Sequence, residues 1–417
     1  PCWHGFGGSS PHPLSTPLSP PMLVSREKSW HACLFLIFAT ACLALIRFAP
    51  WSGSVRHERE FDIVIFGATG YVGSLLTASL LGVRTPFLSV PHSKRLNSGV
   101  EGVRFALAGR NSTKLRQLVE RYSQAGADVR IIIADIHSPA SLDRLVQRTR
   151  VVLTTVRQDP SVDVTTTGNF GEDTLMWRCI QHGTSLLDLD GFWLSDRALA
   201  AKVDAAARAT GAVYSPACGE VSVVPDMATY RAWVHLRRPP LVRSTVQHLY
   251  YNGVDAPAEE APSIWEAYDA PLMRWSADAL GYGASFDFAE RSSTNGAHER
   301  YSLNRGEAIR RVAQFISVAT VEAADGRTAT ALVSGGEIDY EETARLCLEM
   351  GLSLVRDEGV LAAKVGGLWT PAAGWGEALL QRMATIGLAV RLTAPGETAA
   401  AVVRGTRARY VALLQEH

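Results

Sequence analysis

The chain carries the segment Phe61-Asp-Ile-Val-Ile-Phe66, followed directly by Gly67-Ala68-Thr69-Gly70-Tyr71-Val72-Gly73. Its first part is a short apolar and β-branched run, which is typical of a buried parallel strand. After the glycines, apolar residues recur at helical spacing as far as Leu81, which predicts a helix. A strand, a glycine turn and a helix in this order predict a βα unit that binds the pyrophosphate of a nicotinamide dinucleotide.

The glycines of this turn are expected to have separate tasks. Gly67 permits the tight turn, Gly70 lets backbone N–H groups approach the pyrophosphate, and Gly73 lets the helix pack closely on the strand. The helix N-terminus adds partial positive charge for the phosphates. The alternative is a glycine turn without a ligand, and the βα units that follow favour the dinucleotide.

Strands and helices alternate beyond this first unit. Apolar runs predict strands at 103–109, 129–135, 151–156, 186–188 and 212–214, and periodic segments predict helices at 113–124, 171–183 and 195–211. Ser138 and Pro139 begin one more helix as N-cap and first helical residue. The pattern predicts an α/β fold with a Rossmann-type doubly wound parallel sheet over residues 58–226.

The second predicted strand ends at Gly109, where the adenosine ribose of the cofactor is expected. An acid after this strand would bind both ribose hydroxyls of NAD, whereas Arg110 would pair with the 2′-phosphate of NADP. Asn111 follows it, and Lys114 adds a further donor. The segment favours NADP over NAD, and the alternative is that Arg110 is a solvated arginine at the start of a helix.

The third and fourth predicted strands add two residues to the cofactor site. Asp135 lies where the adenine commonly rests, and it either accepts a hydrogen bond from the base or only caps a turn. Val156 ends the fourth strand, whose carboxyl end faces the nicotinamide side of the crevice. Tyr214, Glu220, Asp159 and Asp188 are candidate proton donors near the crevice, but each has a structural alternative. No catalytic residue is therefore assigned.

Charge and cysteine content exclude several classes of protein. Lys and Arg total 41, as do Asp and Glu, so the balance gives no basic surface and predicts no nucleic-acid partner. The 6 cysteines are scattered without metal-ligand spacing. Neither a metal site nor a disulfide scaffold is therefore expected, and a reducing compartment is favoured.

The first 57 residues differ in composition from the rest. A leader rich in proline and serine precedes the apolar run 32–46, which Trp30 and Trp51 bracket. We interpret this region as a disordered leader plus a single N-terminal membrane anchor, with the body of the protein in the cytosol. A cleaved targeting segment, or a helix packed on the protein, are the alternatives.

A second α/β domain is predicted for residues 227–365, with strands at 241–252, 314–323 and 328–333. Ala324-Asp325-Gly326 predicts a hairpin between the last two strands. The segment 254–308 is rich in aromatic residues, and these either wall a site for an apolar substrate or fill a core. The domain is expected to hold the substrate or to form a homodimer.

Several of these segments also carry a family resemblance. Phe66–Gly73, Leu107-Ala-Gly-Arg-Asn-Ser-Thr-Lys-Leu115 and Ala134-Asp-Ile-His-Ser-Pro-Ala-Ser-Leu142 resemble the saccharopine dehydrogenase-like oxidoreductases, which include the mycobacterial trans-acting enoyl reductases. Tyr340-Glu-Glu-Thr-Ala344 is similar to a helix start of that family. Gly366-Gly-Leu-Trp-Thr-Pro-Ala-Ala is similar to its closing segment. The resemblance implies a C-terminal segment, 366–417, that returns to the Rossmann domain. It also implies roles in lipid metabolism, such as glycolipid biosynthesis, at membranes or lipid droplets.

Motifs on the nicotinamide side depart from the family pattern. Arg157-Gln-Asp-Pro160 replaces the family's Gly-Pro-Tyr, and Phe192 replaces the acid of its Asp-x-x-Gly-Glu motif, although Asp188 and Gly191 are kept. Cys218-Gly-Glu-Val-Ser-Val-Val-Pro225 keeps the cysteine, glycine and serine of Cys-Gly-Phe-Asp-Ser-x-Pro but not its acid.

Two hypotheses of function follow from these motifs. The first is an NADP-dependent oxidoreductase that reduces a lipid-like C=C or C=O bond. The second is a cofactor-binding protein at a membrane or lipid droplet that has lost turnover.

Overall fold

A computed structural model describes residues 58–81, 100–122, 129–156, 173–251, 261–293, 313–337, 340–394 and 396–415. The predicted leader and anchor, residues 1–57, lie outside these ranges, and so does the segment 157–160. Within the described ranges, no helix is both long enough and apolar enough to span a bilayer.

The first sheet has seven strands, and every hydrogen-bonded pair in it is parallel. Its order is β12-β6-β5-β4-β1-β2-β3, so the chain adds strands to one side of β1 and then to the other. This order is that of a doubly wound Rossmann sheet, with its topological switch point between β1 and β4. The strands are β1 (Phe61–Phe66), β2 (Phe105–Gly109), β3 (Arg130–Ile133), β4 (Thr149–Thr154), β5 (Ser185–Asp188), β6 (Val213–Ser215) and β12 (Gly367–Leu368).

Helices connect successive strands of this sheet and cover it. The connecting helices are α1 (Tyr71–Leu80), α2 (Ser112–Tyr122), α3 (Pro139–Val146), α4 (Leu175–Gln181) and α5 (Arg197–Thr210). All six residues of β1 are buried, which explains why its sequence is apolar throughout rather than alternating. The predicted strand 61–66 is confirmed residue for residue, and the ends of the other predicted strands of this sheet shift by one or two residues.

The second sheet has six strands in the order β13-β11-β10-β7-β9-β8. Its centre is antiparallel, and β10 and β11 form the hairpin predicted at Ala324–Gly326. Helix α11 (Ala399–Gln415) packs on one face, where Tyr410 stacks on Tyr251 with 5.1 Å between ring centroids. The strands are β7 (Leu241–Tyr251), β8 (Ala261–Pro262), β9 (Asp287–Ser292), β10 (Gln314–Ala323), β11 (Thr328–Gly335) and β13 (Arg391–Leu392).

Helices α6 (Glu220–His235) and α7 (Glu266–Leu280) are absent from the sequence prediction. Each has a proline inside it, Pro225 and Pro271, and proline is read from sequence as a helix breaker. Helix α6 is also buried on nearly every side, so its sequence has no amphipathic period. Residues 226 and 227, between which the sequence places a domain boundary, lie in the middle of α6.

The predicted return of residues 366–417 to the first sheet holds for only part of that segment, because β12 joins the first sheet whereas β13 and α11 belong to the second. Helix α8 (Glu341–Arg356) is followed by two 3₁₀ turns (Glu358–Val360 and Ala362–Val365), strand β12, and helices α9 (Pro371–Gly374) and α10 (Gly376–Thr385). Strand β12 pairs with β6, and Leu368 N–H donates to Asp204 Oδ1 at 2.8 Å. This segment therefore extends the sheet that begins near residue 61.

The buried carboxyl of Asp226 joins α6, α7 and α9. It accepts hydrogen bonds from Ala372 N–H at 2.8 Å and from the Ser276 hydroxyl at 2.7 Å. Burial raises the pKa of Asp226 to about 7, from an ordinary value of 3.8. A group whose pKa is raised by folding stabilises the protein fully below its unfolded pKa and loses that contribution as pH rises through its folded pKa.

We expect Asp226→Asn to reduce the fall of the free energy of unfolding with rising pH, because the amide cannot ionise. Between pH 4 and pH 8, the free energy of unfolding of the natural protein should fall relative to that of the variant by up to about 4 kcal/mol. Urea unfolding across this range measures the difference. Parallel pH profiles for the two proteins would show that Asp226 does not carry the linkage.

Candidate functional site

The turn between β1 and α1 brings backbone atoms unusually close together. Gly67 has φ +90°, and a Cβ there would lie 2.6 Å from Thr155 Oγ1. A Cβ at Gly73 would lie 2.2 Å from the carbonyl oxygen of Gly67. The first turn of α1 therefore rests directly on the backbone of the glycine turn, and only glycine fits at either position.

The N-terminus of α1 opens at the carboxyl edge of the sheet. Gly70 is its N-cap, no side chain caps it, and its first turn contains no acid. The first N–H groups of a helix lack partners within the helix, and the helix dipole adds positive potential there. Thr69 and Gly70 are exposed and Ala68 is buried, so the turn presents its tip to a ligand. This arrangement suits an anion such as a pyrophosphate.

The residues predicted for the adenosine end lie along the same edge. Gly109 ends β2, and Arg110 is exposed immediately after it. Asn111 Oδ1 accepts from Lys114 N–H at 2.9 Å, so the asparagine caps α2. Asp135 Oδ1 accepts from His137 N–H at 3.0 Å. Asp135 therefore caps a turn, and its hydrogen bond with the adenine stays a prediction.

A cavity of about 390 Å³ lies beyond the ends of β4 and β5. Val72 of α1 lines it together with Val156, so it adjoins the glycine turn on the predicted nicotinamide side. Ligands of doubly wound sheets bind in the crevice outside the carboxyl ends of the strands. The other lining residues are Thr155, Asp188, Leu189, Asp190, Phe192, Gly219, Val221, Ser222, Trp265, Tyr268, Tyr340 and Thr343.

Aromatic and aliphatic side chains form most of the cavity wall. Phe192 meets Tyr268 edge to face, with 4.4 Å between ring centroids, at the place where the family pattern has an acid. Tyr268 O–H donates to Leu189 O at 2.8 Å, and burial raises the pKa of this phenol well above its usual range. Among the described residues that line the cavity, none is Lys, Arg or His. The described part of the wall is therefore mainly apolar, with Asp188 and Asp190 as its acidic members.

Asp188 and Asp190 supply the acidic part of the wall. Asp188 is buried, and its carboxylate accepts from Asp190 N–H at 3.0 Å and from Tyr214 O–H at 3.4 Å. Gly191 allows this turn to pack tightly, since a Cβ there would lie 2.7 Å from Ala217 Cβ. The retained Asp188 and Gly191 thus shape the end of β5.

The candidate proton donors fall into different surroundings. Asp188 lines the cavity, whereas Tyr214 is fully buried, stacks on Trp193, and has its pKa raised well above the usual range, chiefly by burial. Glu220 is buried in the first turn of α6, where its N–H donates to Thr343 Oγ1 at 3.0 Å. Asp159 lies outside the described residues.

Sequence reasoning missed the lining residues at the start of α6 and at the start of α8. Signals for several existed, because Ser222 belongs to the retained Cys-Gly-x-x-Ser pattern and Tyr340 and Thr343 belong to a segment with family resemblance. Trp265 and Tyr268 lie in the aromatic segment, and both line the cavity. Other aromatic residues of that segment, such as Tyr282 and Phe286, fill the core instead.

Fold and site together define a doubly wound α/β protein with a dinucleotide-type glycine turn. The chain is 32% identical over 176 residues to the trans-acting enoyl reductase of Mycobacterium tuberculosis, which is 42% of this chain and 36% of that protein. It is 31% identical over 141 residues to the saccharopine dehydrogenase-like oxidoreductase of Rattus norvegicus, which is 32% of this chain and 28% of that protein. The matches thus span only 36% and 28% of the lengths of these two curated relatives.

Among solved structures, saccharopine dehydrogenase of Saccharomyces cerevisiae covers 80% of this chain and 100% of its own, with a TM-score of 0.48 and 11% identity. No family model matches the chain. The sequence comparisons confirm the resemblance to trans-acting enoyl reductases and saccharopine dehydrogenase-like oxidoreductases.

We expect Gly73→Ala to destabilise the protein by about 1–3 kcal/mol, because its Cβ would force α1 away from the Gly67 backbone. Thermal or urea unfolding measures this loss. Gly359→Ala is the matched control, since a Cβ at Gly359 meets nothing within 4 Å. Equal stability of the two variants would show that the close approach at Gly73 is not required.

Proposed function

We propose that this protein is an NADP-dependent oxidoreductase of the saccharopine dehydrogenase-like family that reduces a C=C or C=O bond in a lipid-like substrate. The observation that carries this proposal is the continuity of the glycine turn with an apolar cavity. Val72 follows Gly70 by two residues, in the first turn of α1, and Val156 lies against Gly67. Both valines line that cavity.

The glycine turn supports the cofactor part of the proposal. The N-terminus of α1 would hold the pyrophosphate of a dinucleotide, and the cavity beside Val156 would hold its nicotinamide half. Such a cofactor would supply a hydride. The cavity residues would exclude water around the nicotinamide and orient the substrate beside it.

The cavity supports an uncharged, apolar substrate rather than an amino acid. A carboxylate substrate is normally held by arginine or lysine, and none lies among the described residues that line the cavity. Phe192, Trp265 and Tyr268 give it apolar walls instead. The names of the enoyl reductase relatives agree with the reduction of a C=C bond.

The position of Arg110 supports NADP over NAD. Its exposed side chain follows β2 directly, where a 2′-phosphate on the adenosine ribose would lie. Arginine binds phosphate by paired hydrogen bonds, while the ribose hydroxyls of NAD call for an acid at this point.

A second candidate is a cofactor-binding protein without turnover at a membrane or lipid droplet. Phe192 favours it, because an aromatic side chain occupies the place of the family's acid and packs on Tyr268. The apolar run 32–46 supports membrane attachment with the body in the cytosol. In this second candidate, the second sheet also forms a homodimer.

Titration of the purified protein with NADPH, followed by a panel of enoyl and keto lipids, tests these proposals. An oxidoreductase should bind NADPH and oxidise it only when a suitable lipid is present, as followed by nicotinamide absorbance. Binding without oxidation across the panel would favour the second candidate. Failure to bind NADPH or NADH would refute both.

We expect Arg110→Asp to reverse the cofactor preference, because the carboxylate repels a 2′-phosphate and accepts from ribose hydroxyls. The ratio of the Kd values for NADPH and NADH should change by about tenfold or more. Arg116→Asp is the control, since it makes the same charge change on an exposed position of α2. Equal shifts in both variants would show that Arg110 makes no specific contact.

A further inference from the structure

A chain of buried polar side chains leads from the cavity into the second sheet. It begins at Ser222 of α6, which lines the cavity and is 1% exposed. The Ser222 hydroxyl donates to Asp269 Oδ1 at 2.5 Å. Asp269 belongs to α7 and is fully buried, and its neighbour Tyr268 also lines the cavity. A carboxyl group thus lies one hydroxyl away from the space where a substrate is proposed to bind.

The carboxyl of Asp269 neighbours a second buried carboxyl, that of Glu290 in β9. Glu290 Oε1 accepts from the Ser263 hydroxyl at 2.6 Å and lies 3.3 Å from His248 Nε2. The second oxygens, Asp269 Oδ2 and Glu290 Oε2, are buried and accept no hydrogen bond from the described residues. Two neighbouring buried carboxyl groups repel each other when both are ionised, so one of them carries a proton.

The surroundings assign that proton to Asp269. Burial, and then the charge of Glu290, raise the pKa of Asp269 well above its usual range. Burial by itself would raise the pKa of Glu290, but His248 and the Ser263 hydroxyl outweigh it, so this pKa lies below its usual range. Glu290 is therefore the carboxylate and Asp269 the carboxylic acid.

Other charged groups around the pair reinforce this assignment. Glu220 on α6 adds a negative charge that raises the pKa of Asp269 further. Glu266 on α7 accepts from Glu290 N–H at 2.8 Å and so adds another acid nearby. On the far side, His248 Nδ1 is 2.6 Å from the Ser317 hydroxyl of β10, which fixes the ring that faces Glu290.

We propose that Asp269 stores the proton needed in the cavity and delivers it through the Ser222 hydroxyl. The proposal rests on the proposed reduction, in which a hydride from NADPH leaves an anionic atom on the substrate. The Ser222 hydroxyl turns toward that atom and gives it its proton, while Ser222 Oγ takes a proton from Asp269 Oδ1, so that Asp269 becomes a carboxylate. Water entering the cavity returns a proton by the same route after the product leaves. Ser222 is the group that touches the substrate, and Glu290 and His248 are positioning residues.

Infrared spectroscopy of the full chain tests this delivery without substrate or cofactor. Isotopic labelling of aspartate identifies the C=O band of a protonated aspartic acid. The band is measured at pH 8, which lies above the pKa of about 7 of Asp226, another buried aspartic acid whose pKa is raised. Asp269→Asn should remove the band. On transfer to heavy water, the band should shift as deuterium replaces the proton, and Ser222→Ala should slow that shift several-fold.

Two control variants make the result specific. Ser222→Thr keeps a hydroxyl and should exchange close to the natural rate. Ser276→Ala removes a buried serine that donates to Asp226 rather than to Asp269, and it should leave the exchange unchanged. An absent aspartic acid band at pH 8, or exchange in Ser222→Ala at the natural rate, would overturn the proposal.

An NADPH titration of the same samples separates this proposal from the proposed function. If the natural protein does not bind NADPH, the proposed oxidoreductase function is refuted. The exchange rates would still decide whether Asp269 exchanges its proton with the cavity. With any substrate that is turned over, Ser222→Ala should lower kcat by about 10²-fold without changing the Kd for NADPH.

Discussion

The close approach of α1 to the backbone of Gly67 is the constraint on which the site depends. Because no side chain separates Gly73 from the Gly67 carbonyl, the helix N-terminus lies directly above the end of β1. The Thr155 hydroxyl donates to the same carbonyl at 3.2 Å, which holds the end of β4 against the turn. The end of β4 and the first turn of α1 are thereby held together at the switch point between β1 and β4.

Helix α8 positions further residues of the site next to the glycine turn. It crosses β4 closely, since a Cβ at Gly351 would lie 2.8 Å from Leu153 Cδ2. At its start, Tyr340 meets Tyr71 of α1 edge to face, with 4.9 Å between ring centroids, and Thr343 accepts from the first N–H of α6. A helix far along the chain therefore joins the N-termini of α1 and α6 around one cavity. The polar network behind Ser222 then extends from α6 into β9 and β7.

Sequence patterns predicted the first sheet well because its strands are local apolar runs bounded by glycine or polar residues. They also predicted the glycine turn, because a positive φ or a close backbone contact requires glycine, and the glycines are visible in the sequence. The patterns did not reveal α6 or α7, whose internal prolines and all-round burial hide a helical period. His248 likewise gave no signal, because a histidine beside a buried carboxylate looks the same in sequence as one packed in any core.

The sequence by itself determined the βα units, the glycine turn and the residue that follows β2, because each depends on neighbours within a few positions. Only the tertiary structure decided which residues share the cavity, since Val72, Ser222 and Tyr340 come from distant parts of the chain. It also set the surroundings of two neighbouring acids that look alike in sequence. Burial raises the pKa of Asp269, whereas His248 and the Ser263 hydroxyl hold the pKa of Glu290 below its usual range. Local conformation is thus encoded locally, while electrostatic environment is set by long-range packing.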